Sequence, residues 1–231
     1  MYWWFKWIVL LSLAMWIQYY RNSVSKLPRT RTKGSTHITS SNVNLTETYK
    51  FYNRAEQNKN GYSEFKLTVY SKGICGDLQI PPLKRPCTPF LHLHDDQTEK
   101  FTILQGHFSY RFGEKIYSCD SRTCPSPIII PPLVHHTFWM HENKEDLILI
   151  IHIEPTSKDH GLRIESFENI VGVNRDKLMN LWQAFVFIDS IETYPVFLPL
   201  PFVKVLMKIG SLIGRLLGYQ AEYDDYTTID F

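Results

Sequence analysis

Three residues of one short segment have the types and the spacing of metal ligands. In FLHLHDDQTEKFTILQG, at 90–106, His92 and His94 lie two residues apart and Glu99 follows five residues later. Side chains alternate along a β-strand, so both histidines are expected to point to the same side. The segment 95–98 has the composition of a turn, which is expected to return Glu99 beside them on the adjacent strand. Two imidazoles and a carboxylate so placed can bind a divalent transition metal.

A fourth ligand is expected from a different strand of the same domain. The segment IIIPPLVHHTFW places His135 and His136 after a rigid Pro-Pro pair. The pattern His92-x-His94-x4-Glu99-x6-Gly106 resembles the first motif of the cupin family, and Pro131-x4-His136 resembles the second. His135 lies one position off that motif.

The resemblance to cupins covers residues 60–165. It implies an antiparallel β-barrel of the double-stranded β-helix, or jelly-roll, type. Carried over position by position, it implies four metal ligands, which are His92, His94, Glu99 and His136. Apolar and aromatic side chains of the barrel strands are expected to line a substrate pocket: Phe101, Ile103, Phe108, Tyr110, Phe138 and Met140.

The sequence pattern between 64 and 165 independently favours a mainly β fold. Short runs of β-branched and aromatic residues, such as EFKLTVY, KFTILQ and DLILIIHI, alternate with Gly and Pro. Many short strands at this spacing indicate a sandwich or small barrel rather than alternating βαβ units. After the strands, NRDKLMNLWQAFVFIDS predicts one helix over 174–190, with Asn174 as its N-cap.

The N-terminus predicts a membrane helix. The apolar run from 7 to 17 is short, but the flanking Trp and Tyr residues extend it toward the roughly 20 residues that a spanning helix needs. A cleaved signal peptide is the alternative. Lysines and arginines follow the run, so the positive-inside rule favours a cytoplasmic main domain, whereas the Asn44-Leu45-Thr46 sequon would require a luminal one.

The C-terminus predicts a second membrane-associated helix. In FVKVLMKIGSLIGRLLGY, at 202–219, a narrow stripe with three basic residues faces a broad apolar surface, which suits a membrane interface. Gly210, Gly214 and Gly218 form a row of small residues that would let another helix approach closely. The alternative is that this helix packs on the protein's own domain.

These patterns divide the chain into five segments. They are a transmembrane anchor at 1–20, a linker with a short helix at 21–59, the cupin barrel at 60–165, a packing helix at 166–194, and an amphipathic membrane-associated helix with an acidic tail at 195–231. The localisation expected from them is a single-pass membrane protein with a peripheral C-terminal helix.

Composition limits the function classes. The 231 residues are 44% hydrophobic and 14% aromatic, which suffices for a folded core. The net charge of +2 and the absence of a basic patch with interleaved aromatics do not indicate nucleic-acid binding. Of the four cysteines, Cys119 and Cys124 are placed to close a hairpin disulfide, and four reduced thiols are the alternative.

Three imidazoles and a carboxylate predict a divalent transition metal with open coordination positions, Fe(II) first and Mn(II) or Ni(II) next. The leading hypothesis is a metal-dependent cupin oxidoreductase, such as a dioxygenase, acting on a small apolar or aromatic molecule at a membrane. The alternatives are a non-enzymatic small-molecule binding protein and a metal-dependent isomerase or decarboxylase. The expected partners are this small molecule and the membrane, and a homodimer is compatible with the sequence. No catalytic residue beyond the metal ligands is predicted.

Overall fold

The structure, a computed structural model, describes residues 3–39, 46–157 and 161–227. The described strands are β1 (His37–Thr39), β2 (Glu47–Phe51), β3 (Ser63–Val69), β4 (His92–His94), β5 (Thr98–Gln105), β6 (His107–Phe112), β7 (Lys115–Asp120), β8 (Ile128–Ile130), β9 (His136–Met140), β10 (Leu147–Glu154) and β11 (Thr193–Pro195). The α-helices are α1 (Trp3–Ser25), α2 (Arg54–Asn60), α3 (Ile164–Arg175), α4 (Leu181–Ile191) and α5 (Leu200–Leu216).

The strands form two antiparallel sheets. The six-stranded sheet has the order β1-β2-β3-β10-β5-β8, and the five-stranded sheet has the order β11-β4-β9-β6-β7. This arrangement fits a jelly roll and confirms the mainly β fold class. The closed barrel of the prediction is not observed, because the described strands pair within two separate sheets.

The core lies between the sheets and is built from alternating side chains. In β10, Leu147, Leu149, Ile151 and Ile153 are buried while the intervening residues are half-buried. In β3 the same alternation buries Phe65 and Leu67. Because side chains alternate along a strand, each sheet contributes one apolar face to a single core.

The sheet extends into the region predicted as a linker. β1 and β2 pair with each other, and β2 pairs with β3 in the register Tyr49↔Leu67 and Phe51↔Phe65. The short helix expected there is α2. The Asn44 sequon lies outside the described residues.

The helix predicted over 174–190 is interrupted. α3 ends at Arg175, and Lys177 then adopts a left-handed conformation with φ 57°. α4 begins after Asn180, whose side chain accepts hydrogen bonds from the backbone N–H groups of Trp182 and Gln183. Asn180, and not Asn174, is therefore the N-cap.

α5 packs on the protein's own domain through the face that carries the glycines, which is only part of the alternative that the sequence left open. Apolar side chains of its other face stay exposed, among them Phe202, Val205, Ile209 and Leu212. Val203, Met207, Gly210 and Gly214 are among its buried residues. A Cβ atom at Gly214 would lie 2.8 Å from Val186 Cγ2 and 2.9 Å from the Trp182 carbonyl oxygen. The row of small residues thus brings α5 close to α4, as the sequence predicted for a partner helix.

The prediction of a single-pass membrane anchor is wrong. Among the helices that the structure describes, none combines the length and the apolar character needed to cross a bilayer. In α1 the continuous apolar run is short, since Lys6 precedes it and Gln18, Arg21 and Asn22 follow it. The last turns of α1 instead pack on the domain, where Val24 is buried beside residues of α4 and the segment after α5.

The cytoplasmic orientation rested on this anchor and loses its basis with it. The membrane partner rested on the anchor and on the apolar C-terminal helix, and the first of these two grounds is lost. The homodimer stays a prediction.

All four cysteines are disulfide-bonded. Cys119 pairs with Cys124, which is the bond that the sequence allowed, and Cys75 pairs with Cys87. The first bond closes the end of β7, and the second ties two irregular segments that precede β4.

Candidate metal centre

The four predicted ligands come from both sheets and meet between them. His92 and His94 lie on β4, and His136 lies on the neighbouring β9, directly opposite His92 in the register. Glu99 lies on β5 of the six-stranded sheet. The sequence predicted that the turn after His94 would return the chain on an adjacent strand. The turn instead carries the chain from one sheet to the other.

The ligand atoms lie within coordination distance of a common centre. One potential ligand atom from each of the four side chains lies within 4.8 Å of the other three. His136 Nε2 is 2.7 Å and His94 Nε2 is 3.4 Å from Glu99 Oε2. The side chains are buried, with exposed fractions from 1% for His94 to 7% for His92. The structure thus brings together every residue of the predicted set.

Hydrogen bonds to backbone carbonyl groups orient two of the three imidazole rings. His92 Nδ1 lies 2.7 Å from the carbonyl oxygen of Phe90, and His136 Nδ1 lies 2.9 Å from that of Val134. A carbonyl oxygen can only accept, so each Nδ1 carries a proton and donates it. When such a ring is neutral, its Nε2 atom has a free lone pair, as a metal ligand requires.

The electrostatic environment favours the ligand forms of these groups. Burial lowers the pKa of His92 well below its usual range, and the nearby rings of His136 and His94 add to this effect. Burial opposes ionisation of the Glu99 carboxyl, but the adjacent nitrogens of His136 and His94 outweigh it and hold the pKa of Glu99 well below its usual range. The site therefore contains a neutral His92 and an ionised Glu99 at neutral pH.

This donor set fits a divalent transition metal. His136 Nε2 and His94 Nε2 lie 2.7 and 3.4 Å from the same oxygen of Glu99, so nitrogen and oxygen donor atoms converge beside this carboxylate. A divalent ion bound there would take the place of any proton held between these atoms. Imidazole nitrogen and carboxylate oxygen are ligands of Fe(II), Mn(II) and Ni(II). The residues present thus suit a divalent ion, and they do not determine which one.

A cavity of about 750 Å³ adjoins the centre. His92, Glu99 and Thr193 are among its lining residues, together with apolar side chains of the six-stranded sheet. One face of α3 and one face of α4 close the opposite side, with Phe167, Ile170, Phe187 and Ile188 among the contacts. The volume falls in the range of small-molecule sites.

The cavity extends across the sheet away from Glu99. Its lining includes Ile151 on β10, Leu67 on β3, and both Glu47 and Tyr49 on β2. These strands are neighbours in the sheet, so with a spacing of about 4.8 Å between strands the cavity is roughly 14 Å long in this direction. Burial, followed by the adjacent Glu47 carboxylate, raises the pKa of Tyr49 well above its usual range.

Most of the predicted pocket residues belong to the core. Phe138 lines the cavity. The other five are packed in the main hydrophobic cluster and are not among the lining residues; they are Phe101, Ile103, Phe108, Tyr110 and Met140. These five side chains point between the sheets, as the alternation of side chains along a strand predicts, but they pack in the core and do not line the cavity.

The other histidines that the structure describes lie apart from the centre. His152 stands on the outer face of its sheet between Glu64 and Glu154, at 3.0 and 3.1 Å. His107 and His141 form a ring pair with centroids 4.6 Å apart. His135 is half exposed, with Nδ1 4.0 Å from Glu114.

Sequence reasoning missed Thr193 and the helical wall of the cavity. Thr193 Oγ1 lies 3.0 Å from His94 Nδ1, although the two residues are 99 positions apart. No short motif connects them. The wall residues of α3 and α4 carry an ordinary apolar helical periodicity, which identifies a buried face but not a cavity behind it.

Comparison with known proteins identifies fungal relatives. No family model matches the chain. The probable oxidoreductase virH of Hypocrea virens is 28% identical over 150 residues, which are 60% of this chain and 67% of the relative. The probable oxidoreductase yanE of Aspergillus niger is 28% identical over 174 residues, or 68% of this chain and 65% of the relative.

The epoxidase atD of Aspergillus terreus is 29% identical over 160 residues, or 62% of this chain and 48% of the relative. The matched regions thus span between about half and two thirds of these curated relatives.

The similar solved structures include cupin proteins. The cupin domain of Cnp3 from Schizosaccharomyces pombe gives a TM-score of 0.35 at 9% identity, covering 47% of this chain and 64% of that one. The structure of Fe(II) HppE gives a TM-score of 0.37 at 11% identity, covering 51% and 55%.

Proposed function

We propose that this chain is a metal-dependent oxidoreductase that acts on an elongated, largely apolar or aromatic small molecule. The observation that carries the proposal is the convergence of three imidazole rings and one carboxylate beside a largely apolar cavity. The names of the curated relatives, two probable oxidoreductases and an epoxidase, support an enzyme of this class.

His92, His94, Glu99 and His136 would hold the metal, with Fe(II) as the first expectation. A redox-active ion supplies electron transfer between an organic substrate and O2, which react slowly without it. A dioxygenase reaction is the simplest form of this chemistry. It places both oxygen atoms in the product, so it requires no separate reductant.

The chain's own residues have three further roles in this proposal. The apolar side chains of α3, α4 and the six-stranded sheet bind the substrate body and exclude bulk water from the centre. His92 and Glu99 are the ligands that face the cavity, so the reacting part of the substrate would lie against them. Glu47 and Tyr49 would contact a polar group at the opposite end of the molecule.

The substrate class follows from the shape and polarity of the cavity. A length of roughly 14 Å, set by three spacings of about 4.8 Å between strands, suits a molecule of two or three fused or linked rings, or one ring with an alkyl chain. The apolar side chains of the wall would contact the body of such a molecule, and its polar groups would meet the polar lining residues, among them Glu47, Asn174, Arg175 and Lys177.

The deciding experiment measures metal content and O2 uptake on the full chain. The protein is loaded anaerobically with Fe(II), and O2 consumption is recorded with a panel of apolar and aromatic molecules of graded length. Uptake that depends on both Fe(II) and one substrate class, with a product heavier by two oxygen atoms, supports the proposal.

Tight binding of such a molecule without O2 uptake would instead identify a small-molecule binding protein. Turnover without O2 would identify an isomerase or a decarboxylase. The metal-free chain and the variant His136→Ala serve as controls, and neither is expected to consume O2.

A further inference from the structure

One buried hydroxyl reaches the metal centre from the C-terminal segment. Thr193 is the first residue of β11, and its Oγ1 lies 3.0 Å from Nδ1 of His94. Thr193 is 4% exposed and His94 is 1% exposed. Both side chains of this contact are therefore largely shielded from bulk solvent.

The geometry gives the contact a direction. A threonine hydroxyl has one proton, and the carbonyl oxygen of Ile191 lies 3.3 Å from Thr193 Oγ1. When the hydroxyl donates its hydrogen bond to this carbonyl, its oxygen accepts a hydrogen bond from the Nδ1–H group of His94. The Nε2 lone pair of His94 then faces the side of Glu99, where the metal is expected.

His94 differs from the other two histidines in how its ring is held. His92 and His136 each donate to a backbone carbonyl two residues earlier in the chain, so their orientation is set locally. His94 depends on a side chain from another element. A change of one residue, Thr193, can therefore remove the support of His94 and leave the other two unchanged.

The position of Thr193 is fixed by contacts of the whole C-terminal segment. β11 pairs with β4 in the register Thr193↔His94 and Tyr194↔Leu93. Tyr194 and Leu93 pack in one cluster with Val203 and Met207 of α5. The helix α5 thus presses β11 onto the strand that carries two of the ligands.

We propose that Thr193 is a positioning residue of the metal centre, and that α4, β11 and α5 form a structural part of that centre. The ligand concerned is a divalent transition metal at His92, His94, Glu99 and His136. The inference rests on the proposed function only through metal binding and is independent of the reaction that follows.

The test compares Co(II) binding by full-length wild-type protein with binding by Thr193→Val, Thr193→Ser and Thr137→Val. Valine keeps the shape of threonine without the hydroxyl, and serine keeps the hydroxyl. Thr137 is a matched control, since it is also buried and follows the ligand His136 on β9, but its hydroxyl donates to the carbonyl of Pro89 at 2.6 Å and not to a histidine.

Loss of a hydrogen-bonding partner of a metal ligand commonly lowers affinity or activity about 10–100-fold. Thr193→Val is expected to lose Co(II) affinity by about this factor and to shift the Co(II) visible absorption bands, while Thr193→Ser stays within about threefold of wild type. Thr137→Val is expected to match wild type in both readouts. Urea unfolding of the metal-free variants measures any general loss of stability.

Equal Co(II) affinity in wild type and Thr193→Val, or equal losses in Thr193→Val and Thr137→Val, would overturn the inference. A wild-type chain that binds no Co(II) would overturn it together with the metal centre. If Co(II) binding follows the expected order but no substrate drives O2 uptake by the Fe(II) form, the proposed reaction fails and the role of Thr193 stands.

Discussion

The three histidine rings are oriented before any metal arrives. Two of them donate through Nδ1 to carbonyl oxygens two residues earlier in the chain, and the third contacts Thr193. Because rotation of a ring would break its hydrogen bond, the lone pairs are held toward one point at the cost of little further ordering on binding. This preorganisation distinguishes the centre from a chance cluster of histidines.

Removal of either of two ligands provides the direct test at the residue scale. His94→Ala and His136→Ala are each expected to lose bound metal. Their affinity for the metal should fall by more than the roughly 10–100-fold expected when a hydrogen-bonding partner of a ligand is removed. The measurement is metal content by inductively coupled plasma mass spectrometry after dialysis. His141→Ala is the control, because His141 contacts Ser109 on another part of the sheet. Full metal occupancy in both ligand variants would contradict the assignment.

A second residue-scale prediction concerns the cavity. Ala184 is partly buried and lines the cavity from α4. Ala184→Phe is expected to fill part of this space and to weaken binding of an elongated aromatic ligand by at least tenfold, or about 1.4 kcal/mol. Ligand binding is followed by calorimetry, and metal content should not change. Ala184→Ser is the control of similar size. An unaltered ligand affinity in Ala184→Phe would place the ligand elsewhere.

Three of the four proposed ligands could be predicted from local spacing, and the fourth, His136, from its resemblance to the second cupin motif. His92 and His94 share a face through strand alternation, and Glu99 follows one short turn. The pocket residues and Thr193 could not be predicted in the same way. Alternation assigns Phe108 or Met140 to the interior, but depth within the interior depends on the helices that cover the sheet. Thr193 depends on a strand pairing 99 residues away.

At the scale of elements, the packing of α4 against α5 decides whether β11 is held in place. Gly214 faces Val186 and the backbone of Trp182, so a side chain at this position has no room. Gly214→Ala is expected to lower the free energy of unfolding by about 1–3 kcal/mol, since overpacking outweighs the helix propensity gained. Urea unfolding measures this difference. Leu212→Ala on the same helix is the control, because Leu212 is 62% exposed; a larger loss there would contradict the packing argument.

Element boundaries were predictable only where a local signal was unambiguous. Asn174 and Asn180 are both acceptable N-caps, and the apolar pattern runs through the region between them. The break is made by Asp176, which ends α3, and by the left-handed Lys177. Likewise the composition of the segment 95–98 predicts a turn, but it does not determine whether the next strand joins the same sheet. Both outcomes depend on tertiary packing.

At the scale of the whole molecule, the metal centre connects the two sheets. Three ligands belong to the five-stranded sheet and Glu99 to the six-stranded one. An ion held by all four would bind the folded chain and not the unfolded chain. With free Mn(II) at 100 times its dissociation constant, the free energy of unfolding should rise by about 2.7 kcal/mol.

Chemical denaturation with Mn(II) and with a chelator measures this gain. His136→Ala is expected to show the same unfolding curve in both conditions. A wild-type curve that does not respond to Mn(II) would show that no such ion joins the sheets.

The N-terminal helix shows the limit of hydropathy as a guide to the whole molecule. The aromatic-rich run was expected to span a membrane, and the helix it predicted is present as α1. Lys6 and the polar residues from Gln18 onward shorten its apolar stretch, and the contacts of Val24 with the domain depend on residues near the other end of the chain. The sequence alone therefore located the helix but not its surroundings.

The different supports of the three histidines also bear on how the chain can change over evolutionary time. A backbone carbonyl is present whatever residue occupies the position, so substitutions at Phe90 or Val134 leave an acceptor for His92 and His136. The acceptor of His94 exists only while position 193 carries a hydroxyl. Substitutions should therefore be widely tolerated at positions 90 and 134, just before β4 and β9. At position 193 only residues with a hydroxyl group should be tolerated. Drift in the C-terminal segment would then be the route by which a descendant of this chain loses or retunes its metal.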